Sequence, residues 1–288
     1  MIVAAIAYDE LSKDERDKLD AILRAHAKYP AWKKAYPAAG LPDLPLPKFA
    51  AMLASLYPDE IRNHDNPETF GEWHYVDYPL LPPDFPMKPR PVPGDDLLTG
   101  LAKSANAVTK LTDKFETRTR AKMLSFLIHL VGDAHQPLHC ETLFNADFKE
   151  PEGDRGGNYA WVKPPGGSPI KLHAFWDQLF GPGPSLYQLP PMTMVLAALH
   201  QANDLSPAFP RAKLPELTTH ATPESWTLES RELVINEVWR HAKLAYGLTE
   251  GTAGELPADY EGKAHEIARR QVALAGRRLA DQLHTVLK

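Results

Sequence analysis

Residues 124–140 read Leu-Ser-Phe-Leu-Ile-His-Leu-Val-Gly-Asp-Ala-His-Gln-Pro-Leu-His-Cys. His129 and Asp133 are four apart, so on a helix they share one face, and nearly everything around them is apolar. An imidazole and a carboxylate in such surroundings are costly unless they pair with each other or bind a cation. Pro137 breaks the helix and His139 follows the break, so a sharp helix end can aim several ligands at one point. Taken alone, the segment is read equally well as a satisfied His–Asp pair or as a metal site. Leu172-His173-Ala-Phe-Trp-Asp177 repeats the His-x-x-x-Asp spacing among apolar and aromatic neighbours. Upstream, Tyr57-Pro-Asp59-Glu-Ile-Arg62 and Trp73-His74-Tyr75-Val-Asp77 also set ionisable groups beside large hydrophobes. Four such segments favour the metal reading.

Asp59, His74, His129, Asp133, His139, His173 and Asp177 are too many ligands for one tetrahedral ion. They suit two neighbouring divalent ions, which at about 3.5–4 Å separation stabilise both the attacking and the leaving oxygen of an in-line phosphoryl displacement. The single cysteine, Cys140, excludes an internal disulfide and a Cys-x-x-Cys zinc motif. Imidazole with carboxylate and no thiolate fits zinc best.

The elements that must gather these residues read almost entirely as helix. Apolar periodicity predicts helices over 9–27, 97–111, 117–135, 192–204, 224–247 and 258–287. Met1–Tyr8 has no basic leader and runs at once into Asp9-Glu10-Leu11, so it reads as the inner face of a first helix and not as an export signal. With 28 prolines in 288 residues, one long uninterrupted bundle is excluded. The prolines concentrate in Tyr29–Lys48, Pro79–Pro93, Pro151–Pro169 and Pro182–Pro191. Ionisable residues flank these stretches on both sides, so they are expected to be functional loops of one core and not linkers. The expectation is a single all-α domain over 1–288. No run approaches the length of a membrane span. A net charge of -5, from 32 basic and 37 acidic residues, gives no global field for a polyanion, so a nucleic-acid partner would need local charges or metal ions.

Trp73-His74-Tyr75, His129-x-x-x-Asp133-x-His135-Gln-Pro-Leu-His139, Asp154-x-Gly156-Gly157-Asn158 and Leu172-His173-x-x-Trp176-Asp177 occur in this order. The chain thereby resembles, over essentially its whole length, the zinc-dependent single-strand nucleases and 3'-nucleotidases of fungi, plants and bacteria, which are related in fold to zinc phospholipase C. The resemblance implies a mostly helical domain with three zinc ions at the bottom of a cleft. It implies that Asp59, His74, His129 and Asp133 hold one ion and that His139, His173 and Asp177 hold a second. Asp77 would orient or deprotonate the attacking water, and Arg62 would stabilise charge on the phosphate. Asn158 would help seat a nucleobase on which Tyr75 stacks, and His135 matches a histidine of the motif that is not a ligand. The implied substrates are single-stranded DNA or RNA and nucleotides, with 5'-phosphate products.

Each role has a plainer counterpart: Asp77 as a hydrogen-bond partner of a ligand histidine, Arg62 as an ion-pair residue, Tyr75 as core, Asn158 as a turn residue. The chain starts at Met1-Ile-Val-Ala-Ala-Ile-Ala, inside a helix that family members precede with a Trp and a Gly-His holding the third ion. Two zinc sites are therefore expected to be complete here. Either the natural product starts further upstream and is exported, secreted or periplasmic, or a short form keeps two ions. The competing activities are a phospholipase C-like lipid phosphodiesterase and a two-metal nucleic-acid-binding protein impaired in catalysis.

Overall fold

A computed structural model describes the chain except at residues 38–40, 42–43, 63–68, 83–84, 86–93, 112, 114–115 and 182–188. Much of the proline stretches Pro79–Pro93 and Pro182–Pro191 therefore lies outside the described residues. Within those described, the helices are α1 (Ile2–Glu10), α2 (Lys13–Leu23), α3 (Tyr29–Ala35), α4 (Leu46–Ala54), α5 (Tyr57–Arg62) and α6 (Leu97–Lys110). They continue with α7 (Thr117–Asp133), α8 (Leu172–Asp177), α9 (Pro191–Ala208), α10 (Glu216–Thr219), α11 (Pro223–Leu233) and α12 (Tyr260–Val286). The strands are short: β1 (Pro79–Leu80), β2 (Thr142–Leu143), β3 (Trp161–Lys163), β4 (Ile170–Lys171) and β5 (Gly254–Glu255). The all-α expectation holds, since no strand among the described residues exceeds three residues.

Three predicted elements differ from the observed ones. The helix expected over 9–27 is divided, because Ser12 caps α2 reciprocally with Glu15: the Ser12 hydroxyl accepts from the Glu15 N–H and the Glu15 carboxylate accepts from the Ser12 N–H. The loop expected over Tyr29–Lys48 contains α3, whose start carries a proline that needs no N–H partner, and the first turn of α4. The helix expected over 224–247 leaves regular geometry after Leu233 through a widened turn, Val234–Val238, and then Arg240, His241 and Ala242 take left-handed φ values of 46°, 58° and 60°. Val234, Val238 and Trp239 are all fully buried there, in a second core.

Two apolar cores result. The larger is built by α1, α2, α4, α7, α9 and α12, and the smaller joins α8 and the β3–β5 region to the start of α12. Helix α1 is the apolar inner helix expected of Met1–Tyr8: Ala4 to Tyr8 are buried. It packs on α12 closely enough that a Cβ on Gly276 would lie 2.5 Å from Ile6, so alanine there overpacks the crossing at a cost of about 1–3 kcal/mol. The second close approach bears on the site. Gly100 of α6 lets Trp73 approach that helix closely, since a Cβ there would stand 2.8 Å from it. Trp73 is also stacked on Phe70 and donates to Asp95.

A backbone seam joins this anchored segment to the stretch after α7. The Val76 N–H donates to His139 O, Thr142 N–H to Tyr78 O and Phe144 N–H to Leu80 O, with β1 and β2 pairing in parallel. Residues 73–80 and 139–144 thus run side by side, which brings Asp77 next to the segment that carries His139.

Candidate metal centre

Three elements supply the first grouping. Asp59 comes from the short helix α5, His74 from the turn Gly71–His74, and His129 from α7; one ligand atom of each lies within 4.8 Å of the others. His74 Nδ1 is 3.6 Å and His129 Nε2 is 3.7 Å from the same Asp59 oxygen. His129 Nδ1 donates to the Ser55 carbonyl at 2.7 Å, which turns Nε2 inward. Burial opposes charge on His129, but the carboxylates of Asp133 and Asp59 outweigh it and raise its pKa to about 9. A proton there does what a cation would do: it offsets carboxylates buried together.

The second grouping is His139, from the turn Pro137–His139, with His173 and Asp177 of α8. The two imidazoles stack at 5.2 Å, and His173 Nε2 lies 3.4 Å from Asp177. His173 Nδ1 donates to Gly156 O at 2.7 Å, while Gln136 donates to the other Asp177 oxygen, also at 2.7 Å. The Asp154-x-Gly156-Gly157-Asn158 motif explains the first of these supports. Both glycines have positive φ, and a Cβ on Gly156 would meet Leu138 O at 2.3 Å, so only glycine brings its carbonyl to His173. The buried Asp154 carboxylate pins the loop by accepting from the N–H groups of Leu143 and Gly157.

Asp133 lies between the groupings. One of its oxygens is 3.1 Å from His74 Nδ1 and 3.0 Å from His129 Nε2, and the other is 3.4 Å from His139 Nδ1. Burial opposes its charge, yet His129 and His139 hold its pKa well below the usual carboxylate range. All seven residues singled out from the sequence therefore belong to one region.

A cleft of about 850 Å³ opens beside it, lined by His74, His139 and His173 together with Arg62, Tyr75, Asp77 and Asn158. Asp77 accepts from the Thr142 hydroxyl at 2.6 Å, and burial raises its pKa. Arg62 lies 4.0 Å from Asp59 and is partly exposed. The Tyr75 hydroxyl donates to Glu72, and Asn158 Nδ2 donates to Arg155 O, the contact of a turn residue. His135 faces elsewhere: its Nδ1 donates to Val131 O, its Nε2 accepts from Arg278, and burial lowers its pKa to about 3.

Sequence reasoning missed Gln136, Thr142, Arg155, Tyr159 and Lys171, the last four of which line the cleft. Gln136 stood inside a quoted motif and could have been found there. The others become neighbours only through the backbone seam and the β3–β4 turn. It also missed Glu141, fully buried with both carboxylate oxygens lacking a hydrogen-bond partner among the described residues, so that burial raises its pKa far above normal.

The residues fit divalent zinc. Each grouping offers imidazole and carboxylate in a set of three, and His139 Nδ1, which faces Asp133, is buried with no hydrogen-bond partner among the described residues. Such orphaned nitrogens are costly in a protein interior unless something coordinates or protonates them. Comparison with known proteins agrees. Over 260 residues the chain is 27% identical to Endonuclease 4 of Arabidopsis thaliana, a match that covers 84% of this chain and 79% of that protein. Residues 1–288 match the S1/P1 Nuclease family end to end. Two His/Asp groupings, a cleft beside them and a full-length family match identify a metal-dependent nuclease: the chain belongs to the S1/P1 family of zinc-dependent nucleases.

Proposed function

We propose that the chain, acting as one nuclease-like domain over 1–288, hydrolyses phosphodiester bonds of single-stranded DNA and RNA to 5'-phosphate ends, with 3'-nucleotidase activity on mononucleotides. The observation that carries this reading is the shared cleft, which brings Asp77, Arg62, Tyr75 and Asn158 to the histidines of both groupings. Asp59, His74, His129 and Asp133 would hold one zinc ion, and His139, His173 and Asp177 the other. When bound, such a pair lowers the pKa of an attacking water and neutralises the phosphate.

The protein's own groups do the rest. Asp77 takes the proton of the water; its pKa, raised by burial, suits it to the task, and the Thr142 hydroxyl fixes its orientation. The water oxygen bonds to phosphorus, the P–O3' bond breaks, and the proton passes to the leaving 3' oxygen, so the phosphate stays on the 5' side of the next nucleotide. Arg62 donates to a non-bridging phosphate oxygen as charge builds. No side-chain nucleophile is needed, and Cys140 is a poor one because burial pushes its thiol pKa up. Tyr75 offers a stacking face and Asn158 an amide to one unpaired base. Stacking worth about 1–3 kcal/mol per base is available only to a base not already stacked in a duplex.

The test is digestion of single-stranded against duplex DNA by zinc-loaded protein, with analysis of the ends formed. Preferential cutting of single strands to 5'-phosphate ends is expected. Asp77→Asn should lower kcat by about 10²–10⁴-fold with little change in KM. Unchanged turnover in Asp77→Asn, 5'-hydroxyl ends, or hydrolysis of phosphatidylcholine with none of oligonucleotide would contradict the reading.

A further inference from the structure

A second recess, of about 280 Å³, adjoins the metal cleft and shares Asn158, Tyr159 and Lys171 with it. Its remaining wall is Phe148, Trp161 and Leu248, with Asp147 at one side. We propose that this recess is a second nucleotide subsite, which takes the base of a nucleotide neighbouring the one at the metals. The inference rests on the nuclease reading above.

Three features support it. First, the recess leaves large apolar surface uncovered: Tyr159 is 40% and Leu248 53% exposed, well above most side chains of their kind here. Second, the Tyr159 ring is held in place. Its hydroxyl donates to Glu152 at 2.9 Å and accepts from Arg155 at 3.2 Å, and the Arg155 guanidinium sits 5.7 Å from the ring centre. A ring fixed beforehand loses little entropy when a base stacks on it. Third, the charges are arranged for a nucleotide. Lys171, exposed and two residues before His173, lines both spaces, where a linking phosphate would pass from cleft to recess. Asp147, which accepts from the Tyr246 hydroxyl at 2.7 Å, repels phosphate from the recess and can accept from an amino group on a base edge. The base therefore points in and the phosphate stays on Lys171.

The experiment compares thymidine 3'-monophosphate, which has no neighbouring nucleotide, with the thymidylate tetramer on the zinc-loaded protein, both as cleavable substrates and as phosphorothioates in equilibrium binding. Leu248→Ser is the main variant because Leu248 is exposed and outside the metal cleft, and Lys171→Gln is the second. Wild type should bind and cleave the tetramer with a lower KM than the monophosphate. Leu248→Ser should raise the tetramer KM about tenfold at unchanged kcat and erase the preference in binding. Equal KM for monophosphate and tetramer in wild type, or variants that shift both substrates alike, would overturn the subsite. Failure of the nuclease reading looks different: neither substrate is cleaved. The binding comparison then still decides the recess, with a tetramer preference lost in Leu248→Ser supporting it and no preference refuting it.

Discussion

The two metal groupings use the same donor chemistry on unlike supports. Asp59, His74 and His129 sit on helices and a turn pressed against the larger core, with the His74 side chain 1%, that of His129 10% and that of Asp59 34% exposed. His139, His173 and Asp177 stand on a turn and a short helix held by a glycine loop, and their side chains are each more exposed than their counterparts, at 14%, 17% and 44%. Helix packing and one hydrogen bond, from His129 to the Ser55 carbonyl, orient the first set, whereas the second relies on hydrogen bonds from Gln136 and to Gly156. The deep set is thus preorganised by the fold. The shallow set is accessible to substrate and depends on its immediate partners, so its ion should be removed first when a chelator is titrated in. Asp133 reaches both.

The largest effect should come from Asp133→Asn. It leaves His129 and His139 without their shared counter-charge, so zinc content should fall in both groupings and kcat by about 10³-fold or more, as expected when several kcal/mol of metal assistance is lost. Loss of one ion only, by elemental analysis, would break the idea that Asp133 joins the sets. Gln136→Ala should be milder and selective: zinc affinity of the shallow grouping falls about 10–100-fold while the deep one is unaffected. Competition with a zinc chelator reads both affinities at once, and equal loss from both would erase the distinction drawn here. A smaller effect is expected in the metal-stripped protein as pH changes. His129 titrates near 9 when folded against 6.5 unfolded, so between these values the folded state holds the extra proton. Its contribution, of order 3 kcal/mol, is complete below about pH 6.5 and is lost as pH rises through 9. The melting temperature of stripped protein should fall over that window, and zinc-loaded protein should not follow, because the ion replaces the proton. Smallest of all, Thr142→Val should cost Asp77 one charge-assisted hydrogen bond and lower kcat about tenfold, with Thr142→Ser restoring it.

What the sequence made legible follows from physics at short range. His129 with Asp133, and His173 with Asp177, have the spacing of one helical face; the helix carrying the first pair was readable from apolar periodicity, whereas the six-residue α8 carrying the second is too short to show it. That His74 and Asp59 join them was inferable from burial of ionisable groups beside Trp73 and Tyr57, but their partition into sets came from family resemblance. The supports were not legible. The Thr142–Asp77 bond depends on a two-residue parallel pairing between segments some sixty positions apart, and no local pattern encodes it. The carbonyl that fixes His173 belongs to a glycine whose value lies in what it avoids, the Leu138 backbone. Helix ends were misjudged where a cap or a widened turn overrode periodicity, at Ser12 and at Val234–Val238.

The central claim is that seven side chains from four stretches of chain enclose neighbouring zinc ions. Crystals of zinc-loaded protein measured above and below the zinc absorption edge test it most directly. An anomalous difference peak is expected among Asp59, His74 and His129, and another among His139, His173 and Asp177, with Asp133 reaching from one towards the other. Zinc-saturated crystals lacking a peak in either grouping would contradict the account.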